Sequence, residues 1–190
     1  MDKLKTEFNR PPLMLPVCLV GANVKGKPNF EAIAWLSIVD YNPYLLSISS
    51  DKSHYTNKGI REHKEFSVNI PSADMVAVTD YCGTHSGEKV DKSKVFNVFF
   101  GTLKNAPMIS ECPINVECKL VRTVELVHGE VFIGEVVGIY MEDKYLTDAK
   151  PDMRKINPLI FEEVLSNYWT LGERIGRIGE LGKNYKPHPI

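Results

Sequence analysis

Six extended, apolar segments follow one another along this chain, separated mostly by turn residues and not by helices. Pro16 to Val24 is β-branched and apolar, and it stops at the turn cluster Lys25-Gly26-Lys27-Pro28. Ala32 to Val39 reads as the return strand of a hairpin. Tyr44 to Ser50 is entered through Asn42-Pro43 and alternates apolar residues with serines in its second half. Glu65 to Ile70 is stopped by Pro71. Ile114 to Val127 and Glu130 to Glu142 form a long pair joined at His128-Gly129, where the glycine suits a turn needing positive φ. Strands that are consecutive and lack a βαβ rhythm cannot build a parallel doubly wound sheet. The pattern predicts a mainly β fold with a few helices, a closed or nearly closed antiparallel barrel with Greek-key connections.

Helices occupy the gaps. Ser53 to Lys64 follows a strand and opens on a capping-type serine. Ser72 to Tyr81 has Ser72 as its N-cap. Glu162 to Ile178 is a third expected helix, the core of a C-terminal helical arm over residues 160–190, and Asp91 to Pro113 reads as an irregular excursion over the surface. The 190 residues suit a single domain over 1–190.

A formal net charge of -1 gives no global field for nucleic acid or an anionic membrane, so any anion site must be local. Met1 to Phe8 has no apolar run, and no stretch reaches the ~20 apolar residues of a membrane span. Cys18, Cys82, Cys112 and Cys118 are widely spaced and form no CxxC, which argues against a disulfide framework or a zinc site. Reduced thiols in a cytoplasmic protein are expected.

Three clusters could carry chemistry. Ser49-Ser50-Asp51-Lys52-Ser53-His54-Tyr55-Thr56 leaves a strand and opens a helix. Backbone N–H groups at a helix start, together with an ammonium, an imidazole and several hydroxyls, make a phosphate cradle. The plainer reading is a helix start whose Lys52 and His54 face solvent. Tyr81 to Lys92 places two glycines around hydroxyls with lysines after them, either a ligand-hugging loop or a polar surface loop. Asn29 with Ala34-Trp35-Leu36 offers a tryptophan that could wall a flat aromatic ligand or simply fill the core. The glycine-rich stretch Gly172 to Gly182 lacks the spacing and the preceding strand of a dinucleotide fingerprint.

The order of these pieces resembles the flavin reductase-like, FMN-binding split-barrel family, in its flavoredoxin-type branch. The resemblance rests on P-V-x-L-V at Pro16 to Val20, N-x-x-x-x-A-W at Asn29 to Trp35 and S-x-x-K-x-H-x-T at Ser49 to Thr56. It continues with E-F-x-V-N-I-P at Glu65 to Pro71, Y-C-G-x-x-S-G at Tyr81 to Gly87 and V-D-K at Val90 to Lys92. A-P-x-I at Ala106 to Ile109, G-E-V at Gly134 to Val136 and Y-W-x-L-G-E at Tyr168 to Glu173 complete it. Glu88 and Ser93 stand where many relatives have arginine and phenylalanine.

The resemblance implies a six-stranded antiparallel split β-barrel that forms a homodimer with non-covalent FMN at the subunit interface. Lys52, Ser53, His54 and Thr56 would hold the phosphate and ribityl end. Backbone groups around Ala34-Trp35-Leu36 and Ser49-Ser50 would meet the ring edge. Ser86, Gly87 and Lys92 would close the site, Tyr168 and Trp169 would cover it, and Asn29 and Cys82 would be further cofactor-binding residues. Implied too is an oxidoreductase taking electrons from NADH or NADPH to flavin, ferric iron or a redox-protein partner. The alternatives are a one-electron FMN carrier without NAD(P)H turnover and a non-redox barrel for another phosphorylated ligand.

Overall fold

A computed structural model describes residues 2–183 and 185–186. In chain order its elements are β1 (Met14–Pro16), β2 (Cys18–Val24), β3 (Lys27–Ile33), β4 (Leu36–Tyr41), β5 (Tyr44–Asp51), α1 (Thr56–His63) and β6 (Glu65–Ile70). These are followed by α2 (Val76–Thr84), β7 (Val98–Phe99), β8 (Met108–Ile109), β9 (Ile114–Glu125) and β10 (Gly129–Met141). The chain ends with β11 (Leu146–Thr147), β12 (Lys150–Pro151), α3 (Met153–Ile156), β13 (Ile160–Glu162) and β14 (Asn167–Trp169).

Seven strands make one antiparallel sheet in the order β3-β2-β6-β9-β10-β5-β4. The expected return strand Ala32 to Val39 divides in two, which adds the seventh strand. At Ala34-Trp35 the backbone folds on itself, with Leu36 N donating to Ala34 O at 3.1 Å. The two ends of the sheet are therefore joined directly in sequence, and the sheet must curl until they approach each other. Ser49 N donates to Trp35 O at 2.9 Å, and Ser50 Oγ of β5 donates to Glu31 Oε1 of β3 at 3.2 Å across the closure. The result is a barrel split along one seam.

Cys18, Val20 and Ala22 of β2, Phe66 and Val68 of β6, Cys118 of β9 and Phe132 of β10 fill the barrel with Ile33, Ile48 and Ile60. Leu19 and Phe30 point the other way, into a second cluster with Cys82, Phe96, Ile109 and Cys112. Strands buried on both faces explain why β2 reads as a continuous apolar run. All four thiols are free and buried, as packing residues. The Asp91 to Pro113 excursion lies over this second cluster, and its backbone is held by buried amides. Asn69 Oδ1 accepts from Ile109 N at 3.1 Å, and Asn115 Nδ2 donates to Ile109 O at 2.7 Å.

Other expectations are corrected. The segment Glu162 to Ile178 is not helical. It carries β13 and β14, with β13 pairing to β1. Glu162 Oε1 accepts from Val164 N at 2.6 Å and Leu165 N at 3.0 Å, and Ser166 takes a φ of 58°. That turn and the glycines beyond it defeat helix propagation. The expected arm is thus not helical over its described part, and residues 187–190 lie outside the described residues. Gly129 opens β10 without positive φ, whereas Lys25 (φ 51°) and Gly26 (φ 76°) form the left-handed turn of the β2–β3 hairpin. Among the described residues no helix is long and apolar enough to cross a membrane.

Close packing of the barrel sets a limit on Gly134. It sits at a register shift between β9 and β10, and a Cβ there would lie 2.5 Å from Phe66 Cζ and 2.9 Å from Cys118 Cβ. Gly134→Ala is expected to lower stability by ~1–3 kcal/mol in urea denaturation, the usual cost of overpacking a filled core.

Candidate functional site

The seam opens into a continuous groove. Its centre, a cleft of about 190 Å³, is walled by β3 (Asn29, Glu31, Ala32), the turn before α1 (Ser53 to Thr56) and the end of α2 with its following loop (Cys82 to Gly87), closed by Lys92. On one side Asn29, Tyr55, Gly87 and Lys92 continue into a space of about 300 Å³ rimmed by Lys25, Lys27 and Lys89. On the other side Ala32, Gly83 and Thr84 continue into an apolar space of about 220 Å³ lined by Val17, Ile33, Ala34, Phe161 and Tyr168. One end is rich in charge, with Glu88 and Asp91 set among its lysines, and the other is mostly apolar with Asp80 at its rim.

Local folding explains the positions. Helix α1 is pinned by the Arg61 guanidinium, which grips both carboxylate oxygens of Glu130 on β10, and by Asn57 Nδ2 donating to Asp51 O at 2.8 Å. The turn before α1 is tied by Asp51, whose Oδ1 accepts from Ser53 N (2.8 Å) and Ser53 Oγ (2.7 Å). Those bonds hold the Asp51 carboxyl below its ordinary range. Ser53 is therefore not the helix cap. Tyr55 occupies that position without a capping side-chain bond, and of the first-turn N–H groups Lys58 N bonds Tyr55 O at 3.2 Å. Asn29 Nδ2 donates to Thr56 Oγ1 at 2.8 Å, tying β3 to α1. A Cβ on Gly87 would lie 1.9 Å from Asn29 Oδ1, so only glycine lets the loop lie against β3.

The ionic centre is Glu31, His54 and Lys92. Glu31 is 5% exposed. His54 Nδ1 stands 2.8 Å from Glu31 Oε2 and 3.1 Å from Ser50 Oγ. The hydrogen-bonding carboxylate of Glu31 raises the His54 pKa above its ordinary value, against burial and the nearby Lys92. Lys92, 3% exposed, donates to Phe30 O at 2.8 Å and Cys82 O at 2.7 Å. Burial lowers its pKa, while Cys82 and Glu31 oppose that shift. Burial also pushes the Cys82 thiol up to about 11, which leaves it un-ionised near neutrality. Tyr168 donates to Asp80 Oδ1 at 3.1 Å, and burial with that acceptor raises its phenol to about 12.

Of the residues singled out in the sequence, Asn29, Ser53, His54, Thr56, Cys82, Ser86, Gly87 and Lys92 line the central cleft. Ser50 lies behind it, 1% exposed, holding Glu31 and His54. Ala34 and Tyr168 line the apolar end. Leu36 packs on the barrel core, and Ser49 contributes its N–H to Trp35 O. Trp35 is 55% exposed and donates to Glu163 Oε2 at 3.2 Å, and Trp169 is 53% exposed. Neither fills the core. The structure does not bring Lys52 to the groove: its Nζ stands 3.9 Å from Glu125 Oε2 on the β9–β10 hairpin. Sequence reasoning missed Glu31. The signal was available, a lone carboxylate inside the apolar run Phe30-Glu31-Ala32-Ile33.

Two consequences can be measured. The Glu31–His54 attraction stabilises the fold below the ~6.5 pKa of a free imidazole, and it is lost as pH rises through the raised value of His54. A stability profile of the wild type is expected to decline over that window relative to His54→Gln. Lys92→Met leaves two carbonyls without their donor and is expected to cost ~1–3 kcal/mol in chemical denaturation.

Comparison with known proteins follows the same outline. Residues 11–162 match the flavin reductase like domain family. The fold is similar to flavoredoxin from Methanosarcina acetivorans, with a TM-score of 0.93 and 48% identity over 96% of this chain and 98% of that one. It is similar also to flavoredoxin of Desulfovibrio vulgaris (Miyazaki F), with a TM-score of 0.88 and 33% identity over 95% of this chain and 100% of that one. An uncharacterised protein of Archaeoglobus fulgidus is 32% identical over 129 residues, 67% of this chain and 72% of that protein. With a split barrel, a seam groove and a family match over most of its length, the chain belongs to the flavin reductase-like domain family.

Proposed function

We propose that this protein is an FMN-dependent oxidoreductase of the flavin reductase or flavoredoxin type. It binds one FMN per chain in the seam groove and carries electrons from NADH or NADPH to free flavin, ferric iron or a partner redox protein. Family membership supports the coarser statement, a flavin-binding oxidoreductase. The observation that carries the finer one is the polarity of the groove, with Val17, Ile33, Ala34 and Phe161 at one end and His54 and Lys92 toward the other.

The residues fit that cofactor. FMN joins a flat ring system to a phosphate that is close to a dianion at neutral pH. His54, Lys92, the hydroxyls of Ser53, Thr56 and Ser86 and the N-terminal end of α1 are suited to such a group. Gly87 keeps the loop low enough for close approach. The bound flavin supplies the redox chemistry, in one- or two-electron steps. The chain supplies position and environment: a wall of Ala34 and Tyr168 against the ring, backbone groups from Ala34-Trp35-Leu36 and Ser49-Ser50 at its edge, and a charged anchor for the phosphate. Tyr168 keeps its proton and stays tied to Asp80.

The functional unit is a homodimer with the groove at its interface. Its support is a set of exposed apolar side chains on the turn before β4, along β4 and at the start of β5, comprising Trp35 (55%), Ile38 (63%), Tyr41 (78%) and Tyr44 (59%), the kind of surface an association face uses. Buried free thiols suit a reducing compartment such as the cytoplasm.

Purified protein is expected to be yellow, or to become so with FMN, and to lose its long-wavelength flavin absorbance on anaerobic mixing with NADH or NADPH. Bleaching that fails with both nucleotides makes the protein a one-electron carrier. A preparation that takes up no FMN ends the proposal. His54→Gln is expected to weaken FMN about tenfold, ~1.4 kcal/mol, in fluorescence titration, and Lys52→Ala by much less. Sedimentation of the flavin-loaded protein is expected to give a dimer, and a loaded monomer rules out the interface site.

A further inference from the structure

The carboxylate at the bottom of the groove has no place in the reading above. Glu31 sits on β3 between Phe30 and Ala32, and its side chain is 6% exposed where that of His54 is 38% exposed. Its Oε1 is satisfied by Ser50 Oγ. Its Oε2 is sealed from solvent and faces His54 Nδ1 at 2.8 Å, the contact by which it holds the imidazole. A negative charge beneath an anion site works against the ligand unless it serves another charge.

The charged and titratable groups around the imidazole come from four elements: Glu31 from β3, Asp51 with the Ser50 hydroxyl from β5, Cys82 and His85 from α2 and the residue after it, which line the same cleft, and Lys92 from the turn after the glycine loop. Lys92 is a second cation on the wall of the same cleft, and it disfavours charge on His54. Two cations brought together in a half-dry cleft repel, and the weaker base gives up its proton. Glu31 is the buried carboxylate that acts on both, favouring the charged form of His54 and of Lys92. Because the imidazole is far more exposed than the carboxylate, a ligand entering from the groove meets the cation before the anion.

We propose that Glu31 is a positioning residue that keeps His54 and Lys92 charged together and so sets the pH range over which the protein prefers a phosphorylated flavin to an unphosphorylated one. This rests on the FMN reading given above. His54, pinned at Nδ1, is left with its other ring nitrogen for the phosphate. As pH rises through the His54 value the imidazole loses its proton and the phosphate loses one charged donor. Affinity for FMN falls, while affinity for riboflavin, which has no phosphate, stays level.

The test is a pair of fluorescence titrations, FMN and riboflavin, on the whole protein from pH 6.5 to 9, above the phosphate's own second ionisation near 6. Proton NMR of the His54 ring in the flavin-free protein is recorded alongside. The wild type is expected to favour FMN over riboflavin at the low end and to lose about tenfold of that ratio, ~1.4 kcal/mol, as His54 titrates. In Glu31→Gln the His54 midpoint moves down and the ratio is already reduced at pH 7. In His54→Gln, which holds regardless of how Glu31→Gln folds, the ratio no longer depends on pH in this window. An unmoved His54 midpoint in a folded Glu31→Gln protein overturns the proposal, as does a pH-dependent ratio that persists in His54→Gln. In both cases FMN binding itself survives. A wild type that binds neither flavin removes the cofactor reading and this inference with it.

Discussion

Everything about this fold turns on the contact between the two ends of its sheet. A curled sheet that does not close by a continuous ladder leaves two edges with unpaired backbone groups, and such edges need partners. Here both edges come from one stretch of chain, β3 and β4, joined through Ala34-Trp35. The gap between β3 and β5 is bridged by Ser50 to Glu31, Asn29 ties β3 to Thr56 at the start of α1, and β3 receives Lys92 on the carbonyl of Phe30. A ladder would have been cheaper in polar groups. A bridge of side chains leaves a groove.

The rest of the molecule makes that seam rigid. The barrel is full, with Phe66, Phe132 and Cys118 packed so closely that Gly134 admits no methyl group. The outer face of β2 and β6 is covered by an excursion with little regular structure, which is possible because buried side chains replace the missing ladder. Asn69 and Asn115 serve Ile109, and Glu117, fully buried, accepts from the backbones of Thr102 and Leu103 and from Tyr140. Buried polar groups satisfied in this way fix one arrangement of the loops. The loop that carries Ser86 to Lys92 inherits that order, since Phe96 just beyond it packs edge-on against Phe30 at 5.4 Å.

The barrel was legible in the sequence because its strands are long, apolar and bounded by turns. The site was legible where chemistry is carried by side chains in short motifs, as in Ser53 to Thr56 and Ser86 to Lys92. What escaped depended on the third dimension. The break at Ala34-Trp35 is a consequence of curling, invisible in a run of residues that all favour strands. The helix expected over Glu162 to Ile178 failed because Ser166 turns the backbone left-handed (φ 58°) and Asn167–Trp169 folds back to pair with Ile160–Glu162. Lys52 looked like the phosphate cation because it neighbours His54 in sequence, but it lies in the turn after β5, where its N–H bonds His128 O at 3.0 Å and its ammonium leans toward Glu125 on the β9–β10 hairpin. Glu31 was passed over because a single acid in an apolar strand has no motif.

That acid is also the hardest residue to explain by folding alone. Removing a carboxylate and an ammonium from water costs several kcal/mol per ion, and apolar residues of similar volume would commonly serve stability as well or better. The barrel has no shortage of apolar packing, so Glu31 and Lys92 are not there for want of a core. Their arrangement resolves when a further charge is added. With His54 protonated, Glu31, His54 and Lys92 together carry one net positive charge, and they face the cleft proposed to take the FMN phosphate. Fixed dipoles and charges held in place before the ligand arrives need no reorganisation when it binds. On the proposed function, the groove holds, as part of the folded state, an electrostatic arrangement that favours binding once the FMN phosphate is in place.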